Sequence, residues 1–109
     1  MSERRTDTPR RLRGLPYAEL PGGRRVPVAS SIPSRLLGLA LLDRGRAGRG
    51  LLIPRCRAVH TFGMRFPLEL RFLDDAGRPV SIRPSVPPRR FAFKRAARAV
   101  LELPAGGPE

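Results

Sequence analysis

The sequence contains few of the residue types from which small functional sites are usually built. Its 109 residues include one cysteine, one histidine and no tryptophan. Because Cys56 is the single thiol, an intramolecular disulfide cannot form, and zinc sites of the four-cysteine or two-cysteine, two-histidine kind are excluded. Disulfides are rare in reducing compartments, so this composition favours a cytoplasmic protein.

Long hydrophobic runs are also missing. No stretch approaches the roughly 20 apolar residues of a membrane-spanning helix. The N-terminus has basic residues, but no apolar run of the kind found in a secretory signal follows them. We therefore expect no membrane span, and a chain of 109 residues has room for one small domain.

Acidic residues are scarce: nine Asp and Glu stand against 22 Lys and Arg, for a formal net charge of +13. Such a charge favours binding to a polyanion such as nucleic acid. However, Lys94 is the only lysine, and an excess of Arg, Ala, Gly and Pro is also what GC-rich codons produce. Aromatic residues make up only 6% of the chain, which is little for stacking bases. Nucleic-acid binding is thus an alternative function here and not the favoured one.

The first 24 residues are rich in arginine and interrupted by Pro9, Pro16, Pro21 and the pair Gly22-Gly23. They show no sustained apolar periodicity, which predicts a flexible arm over residues 1–24. Residues 25–109 are then expected to form a single domain.

One helix is predicted near the start of this domain. Leu36, Leu37, Ala40 and Leu41 follow helical spacing, and Pro33 is tolerated in a first helical turn. The glycines of "DRGRAGRG" end the pattern, which places the helix at about residues 31–42.

The rest of the domain is predicted to consist of short strands. Val26 and Val28 alternate with polar or proline positions, and "GLLIP" is a short buried run. "LELRFLDDAGRPVSI" predicts a β-hairpin whose apolar face includes Val80 and Ile82. "FAFKRAARAVLELP" fits a helix or a strand equally well. One helix among about five strands predicts a mainly antiparallel α+β fold.

The segment "RCRAVHTFGMRF" holds the single cysteine and the single histidine. If it is extended, Cys56, His60 and Met64 share one face with other apolar residues. A Cys–His pair can generate a thiolate nucleophile, but residues four apart on a strand are separated by about 13 Å. We therefore favour a small buried cysteine and a core histidine over catalysis. No spacing of His, Cys, Asp or Glu is typical of a metal site, and we predict no metal and no cofactor.

A site for a small polar ligand is less demanding, since it requires only a concave pocket with a few convergent polar groups. The candidate ligand-binding residues are His60, Thr61, Met64, Arg65 and Glu69. The favoured function is a non-enzymatic binding or accessory domain without catalytic residues. A hydrolase-like enzyme that uses His60 as acid or base, together with Glu69 or Cys56, is a further alternative.

Three segments, "SSIPSRLLGLALL", "HTFGMRFPLELRFLD" and "VLELPAG", resemble the family known as domain of unknown function 192 over about residues 26–106. The resemblance implies a compact, barrel-like α+β domain and makes "AVLELPAG" a strand that ends in a loop. It implies no activity.

Two departures from the family pattern affect these expectations. Glu69 stands where the family usually has Asp, and relatives usually continue with a further strand after the point where this sequence ends at "GGPE". We therefore expect an open C-terminal edge at which a protein partner adds a strand.

Overall fold

The computed structural model describes residues 14–30 and 50–106. These two ranges contain eight strands: β1 (Tyr17–Glu19), β2 (Arg25–Pro27), β3 (Leu51–Pro54), β4 (Ala58–His60), β5 (Leu68–Leu73), β6 (Pro79–Val86), β7 (Phe91–Phe93) and β8 (Ala99–Pro104). They contain no helix. The prediction of an α+β fold is therefore wrong for the described part of the chain, which is all-β. The helix predicted over residues 31–42 lies outside the described residues.

The strands form three antiparallel sheets. β1 pairs with β2, β4 pairs with β7, and the largest sheet has the order β3-β8-β5-β6. Antiparallel pairing agrees with the sequence-based prediction. Among the described strands, however, the largest sheet ends at β3 and β6 and does not close into the predicted barrel.

β8 is the central strand of the fold. Val100 belongs to one hydrophobic cluster, whereas Leu101 and Leu103 belong to a second. Because side chains alternate along a strand, the two clusters lie on opposite faces of the large sheet. The first cluster is covered by Val59 and Ala92 of β4 and β7, and the second includes Val26 of β2. The described chain is thus a large sheet between two smaller ones.

The central position of β8 bears on the predicted C-terminal edge. β8 has β3 on one side and β5 on the other, so it is an inner strand of this sheet. A protein partner at the C-terminal edge stays a prediction.

Gly50 shows how closely β3 approaches β8. Its φ of 104° is favourable only for glycine, and a methyl group there would collide with the carbonyl oxygen of Glu102 and the side chain of Leu103. The glycine that begins "GLLIP" therefore lets β3 pair directly with β8, and the prediction of a buried strand in this segment is confirmed.

The flexible arm predicted for residues 1–24 stays a prediction, but strand β1 lies within its bounds and pairs with β2. The hairpin of β5 and β6 forms as predicted, but Val80 and Ile82 are exposed. A register irregularity between Leu68 and Leu70 puts the half-buried Ser81, and not Ile82, opposite the buried Phe72, while the exposed Ile82 lies opposite Arg71. Within the described ranges there is no helix that could cross a membrane.

Candidate functional site

β4 and β7 form a small sheet with one buried and one exposed face. Val59 and Ala92 are register partners, and both are buried in the first hydrophobic cluster. The neighbouring partners are Ala58 with Phe93 and His60 with Phe91. Because side chains alternate along each strand, these four residues share the opposite face, and all four are exposed.

The chain turns immediately after β4, at Thr61. The buried Thr61 hydroxyl donates a hydrogen bond to the carbonyl oxygen of Pro87 (2.7 Å) and accepts one from the backbone N–H of Arg90 (2.8 Å). The Thr61 carbonyl accepts from the N–H of Met64 (3.2 Å), and Gly63 has a φ of 82°. "HTFGM" is therefore a turn fastened to the loop before β7.

This turn reverses the side-chain directions that an extended strand predicts. Met64 and Phe66 enter the core, whereas Phe62 is exposed beside His60. The N–H of Phe62 donates to Nδ1 of His60 (3.2 Å), which fixes the two residues relative to each other. The predicted common face of residues 56–66 is wrong, because Gly63 permits a left-handed backbone conformation that ends the extended segment.

The exposed side of β4 and β7 carries four rings, His60, Phe62, Phe91 and Phe93, which we call the aromatic face. The ring centroids of His60 and Phe62 are 5.9 Å apart, and those of Phe62 and Phe91 are 5.2 Å apart. The phenylalanines expose 43% (Phe62), 77% (Phe91) and 59% (Phe93) of their surface. Grouped exposed apolar side chains of this kind mark interaction sites more often than isolated ones do.

Exposed basic residues lie next to β4 and β7 in the sequence. Five of them lie within two positions of one of these strands, and all five are exposed. We call this set the basic rim: Arg57, Arg89, Arg90, Lys94 and Arg95. Residues 55–68 and 79–101 together contain nine Lys or Arg, three in the first segment and six in the second, and no Asp or Glu. The chain segments that build this surface thus carry positive charge without acidic neighbours in sequence.

The five residues predicted to bind a small ligand have different environments. His60 and Arg65 are exposed, whereas Thr61 and Met64 are buried. Glu69 is half-buried and forms an ion pair with Arg71 on the same strand. His60 and Thr61 are neighbours at the end of β4. However, the side chains of Thr61 and Met64 are buried, whereas those of His60 and Arg65 face solvent. A small-ligand pocket formed by these residues stays a prediction.

The residues considered for catalysis or metal binding have local structural roles. The Cys56 thiol donates to the carbonyl oxygen of Ala58 (3.1 Å). Asp74 accepts hydrogen bonds from the N–H groups of Ala76 and Arg78 in the turn between β5 and β6. Residues 14–30 and 50–106 contain no group of three or more His, Cys, Asp or Glu that could hold a metal ion.

The family model for domain of unknown function 192 (DUF192), described as an uncharacterised ACR, matches residues 18–109. The chain belongs to the DUF192 family. The resemblance stated from the sequence is therefore confirmed, and so is its consequence for the C-terminus, because "AVLELP" is strand β8. The family has no established function.

The DUF192 domain also has a neighbour of known structure. The crystal structure of a proposed transcription regulator from Sinorhizobium meliloti 1021 aligns with a TM-score of 0.64 and 24% sequence identity. The alignment covers 83% of this chain and 78% of the other. This likeness supports the fold alone. A comparison with curated protein sequences gave no match.

Sequence reasoning did not find the two most exposed phenylalanines of this DUF192 chain. Phe91 and Phe93 lie in a segment whose periodicity fitted a helix as well as a strand, and their neighbour His60 is about 30 residues away in the sequence. The sequence "RRFAFKR" could have revealed them. It places two aromatic residues at strand spacing between basic residues, whereas a buried strand is usually flanked by apolar residues.

Proposed function

We propose that this DUF192 protein is a non-enzymatic binding module whose binding surface is the aromatic face with its basic rim. One observation carries the proposal: three phenylalanine rings are exposed together within segments that contain basic but no acidic residues. Core formation does not explain these rings, because Val59 and Ala92 supply the buried side of the same strands.

The partner that fits this surface is an anion with apolar groups. A rim of Arg57, Arg89, Arg90, Lys94 and Arg95 attracts negative charge, and arginine binds phosphate and carboxylate in a planar, bidentate manner. The exposed rings provide apolar contact area on or beside the same two strands, β4 and β7. We also propose that the protein is cytoplasmic, because its single cysteine cannot form an intramolecular disulfide.

Heparin-column chromatography tests whether the rim binds anions. Arg90→Gln removes a charge beside β7, whereas Arg78→Gln removes one from the turn between β5 and β6; both arginines are exposed, so the two variants have equal net charge. We expect Arg90→Gln to elute at clearly lower salt than Arg78→Gln. Equal elution of the two variants would contradict the proposed surface.

A further inference from the structure

The aromatic face is made of rings and not of branched aliphatic side chains. All four of its side chains end in planar rings: His60, Phe62, Phe91 and Phe93. The Phe62 ring is tilted by 46° to His60 and by 63° to Phe91, so the rings do not stack on one another. Ring surface therefore remains open for an incoming planar group.

The rings also follow a line along the small sheet. Phe91 and Phe93 are two residues apart on β7, a separation of about 6.6 Å along a strand, and Phe62 lies 5.2 Å from Phe91 at one end. A linear ligand with planar groups at regular intervals would meet several rings in succession. Bases on a sugar-phosphate chain have this form, and each can stack on an aromatic side chain.

From these observations, and resting on the proposed function, we propose that the aromatic face binds single-stranded nucleic acid, with bases stacked on Phe62, Phe91 and Phe93 and phosphates held by the basic rim. A duplex fits less well, because its bases are already stacked on each other. An anionic membrane surface is the alternative partner, and the vesicle measurement below tests it.

The test measures fluorescence anisotropy with labelled single strands of about 12 nucleotides, a length within the usual site size. The probes are oligothymidylate, oligouridylate and an abasic strand of equal length and charge. We expect the strands with bases to bind at least about tenfold more tightly than the abasic strand, and all binding to weaken steeply with salt.

Variants of Phe91 separate stacking from general apolar contact. Phe91→Leu keeps an apolar side chain but removes the ring, and Phe91→Tyr keeps the ring. We expect Phe91→Leu to lose about tenfold in affinity for oligothymidylate and Phe91→Tyr to stay within about twofold of the natural protein. Tyr17→Ala is the control, because Tyr17 is an exposed aromatic residue near Arg25 on the β1–β2 sheet. It should have no effect on binding.

The outcomes distinguish this inference from the proposed function. Equal affinity for the abasic strand, or full binding by Phe91→Leu, would overturn base stacking but leave anion binding at the rim intact. Binding to phosphatidylserine vesicles with no binding to oligonucleotides would assign the surface to membranes and overturn the inference. If heparin elution is also the same for Arg90→Gln and Arg78→Gln, the proposed function is wrong as well.

Discussion

Strands β7 and β8 are both rich in apolar residues, but their environments differ. β8 lies between β3 and β5, and Val100 and Leu101 enter hydrophobic clusters on opposite faces of the sheet. Among the described strands β7 pairs with β4 alone, and of its three residues only Ala92 is buried. Folding accounts for the apolar residues of β8. It does not account for Phe91 and Phe93, whose exposure therefore points to binding.

The largest effect is expected on the β8 side of this comparison. Phe72 on β5 is fully buried in the first cluster and pairs with Val100. Phe72→Ala should lower the free energy of unfolding by about 3–5 kcal/mol, because it removes a large buried ring and leaves a cavity. Urea denaturation measures this change. A loss below about 1 kcal/mol would contradict the assignment of Phe72 to the core.

An intermediate effect is expected where the two regions meet. Thr61→Val keeps the shape of the side chain but removes the hydroxyl that joins Pro87 and Arg90. The N–H of Arg90, which makes this part-buried hydrogen bond, then lacks its acceptor, so the free energy of unfolding should fall by about 1–3 kcal/mol. Denaturation of Thr61→Val beside Thr61→Ser, which retains the hydroxyl, checks this. Equal losses in both variants would show that the hydroxyl is not what stabilises the turn.

The smallest effect on stability is expected at the aromatic face. Phe91→Ala removes the same kind of ring as Phe72→Ala, but from a site that is 77% exposed. The free energy of unfolding should change by no more than about 0.5 kcal/mol, as is usual for surface substitutions. A loss comparable to that of Phe72→Ala would mean that folding explains the ring after all, and the contrast between the strands would disappear.

Local patterns predicted the elements that form from neighbouring residues. The hairpin of β5 and β6 follows from alternating residues on either side of "DDAG", and β3 from the apolar run after Gly50. The strand assignment of β8 depended on the family resemblance, because its own periodicity was ambiguous.

The parts that sequence reasoning missed depend on contacts between distant segments. "HTFGM" looked like a continuous strand until the hydrogen bonds of Thr61 to Pro87 and Arg90 were known. The pairing of His60 with Phe91 joins residues about 30 positions apart, so no local pattern could reveal the aromatic face. For the same reason Val80 and Ile82 were expected in the core, since the irregular register of β6 is set by its partner strand.

An NMR titration of the isotope-labelled protein with oligothymidylate shows whether bases reach the aromatic face. The ring resonances of His60, Phe62, Phe91 and Phe93 should shift together and saturate, while the methyl groups of Leu101 and the ring of Tyr17 should not shift. Shifts concentrated outside β4 and β7, or bound oligonucleotide that leaves these four rings unchanged, would contradict binding at this face.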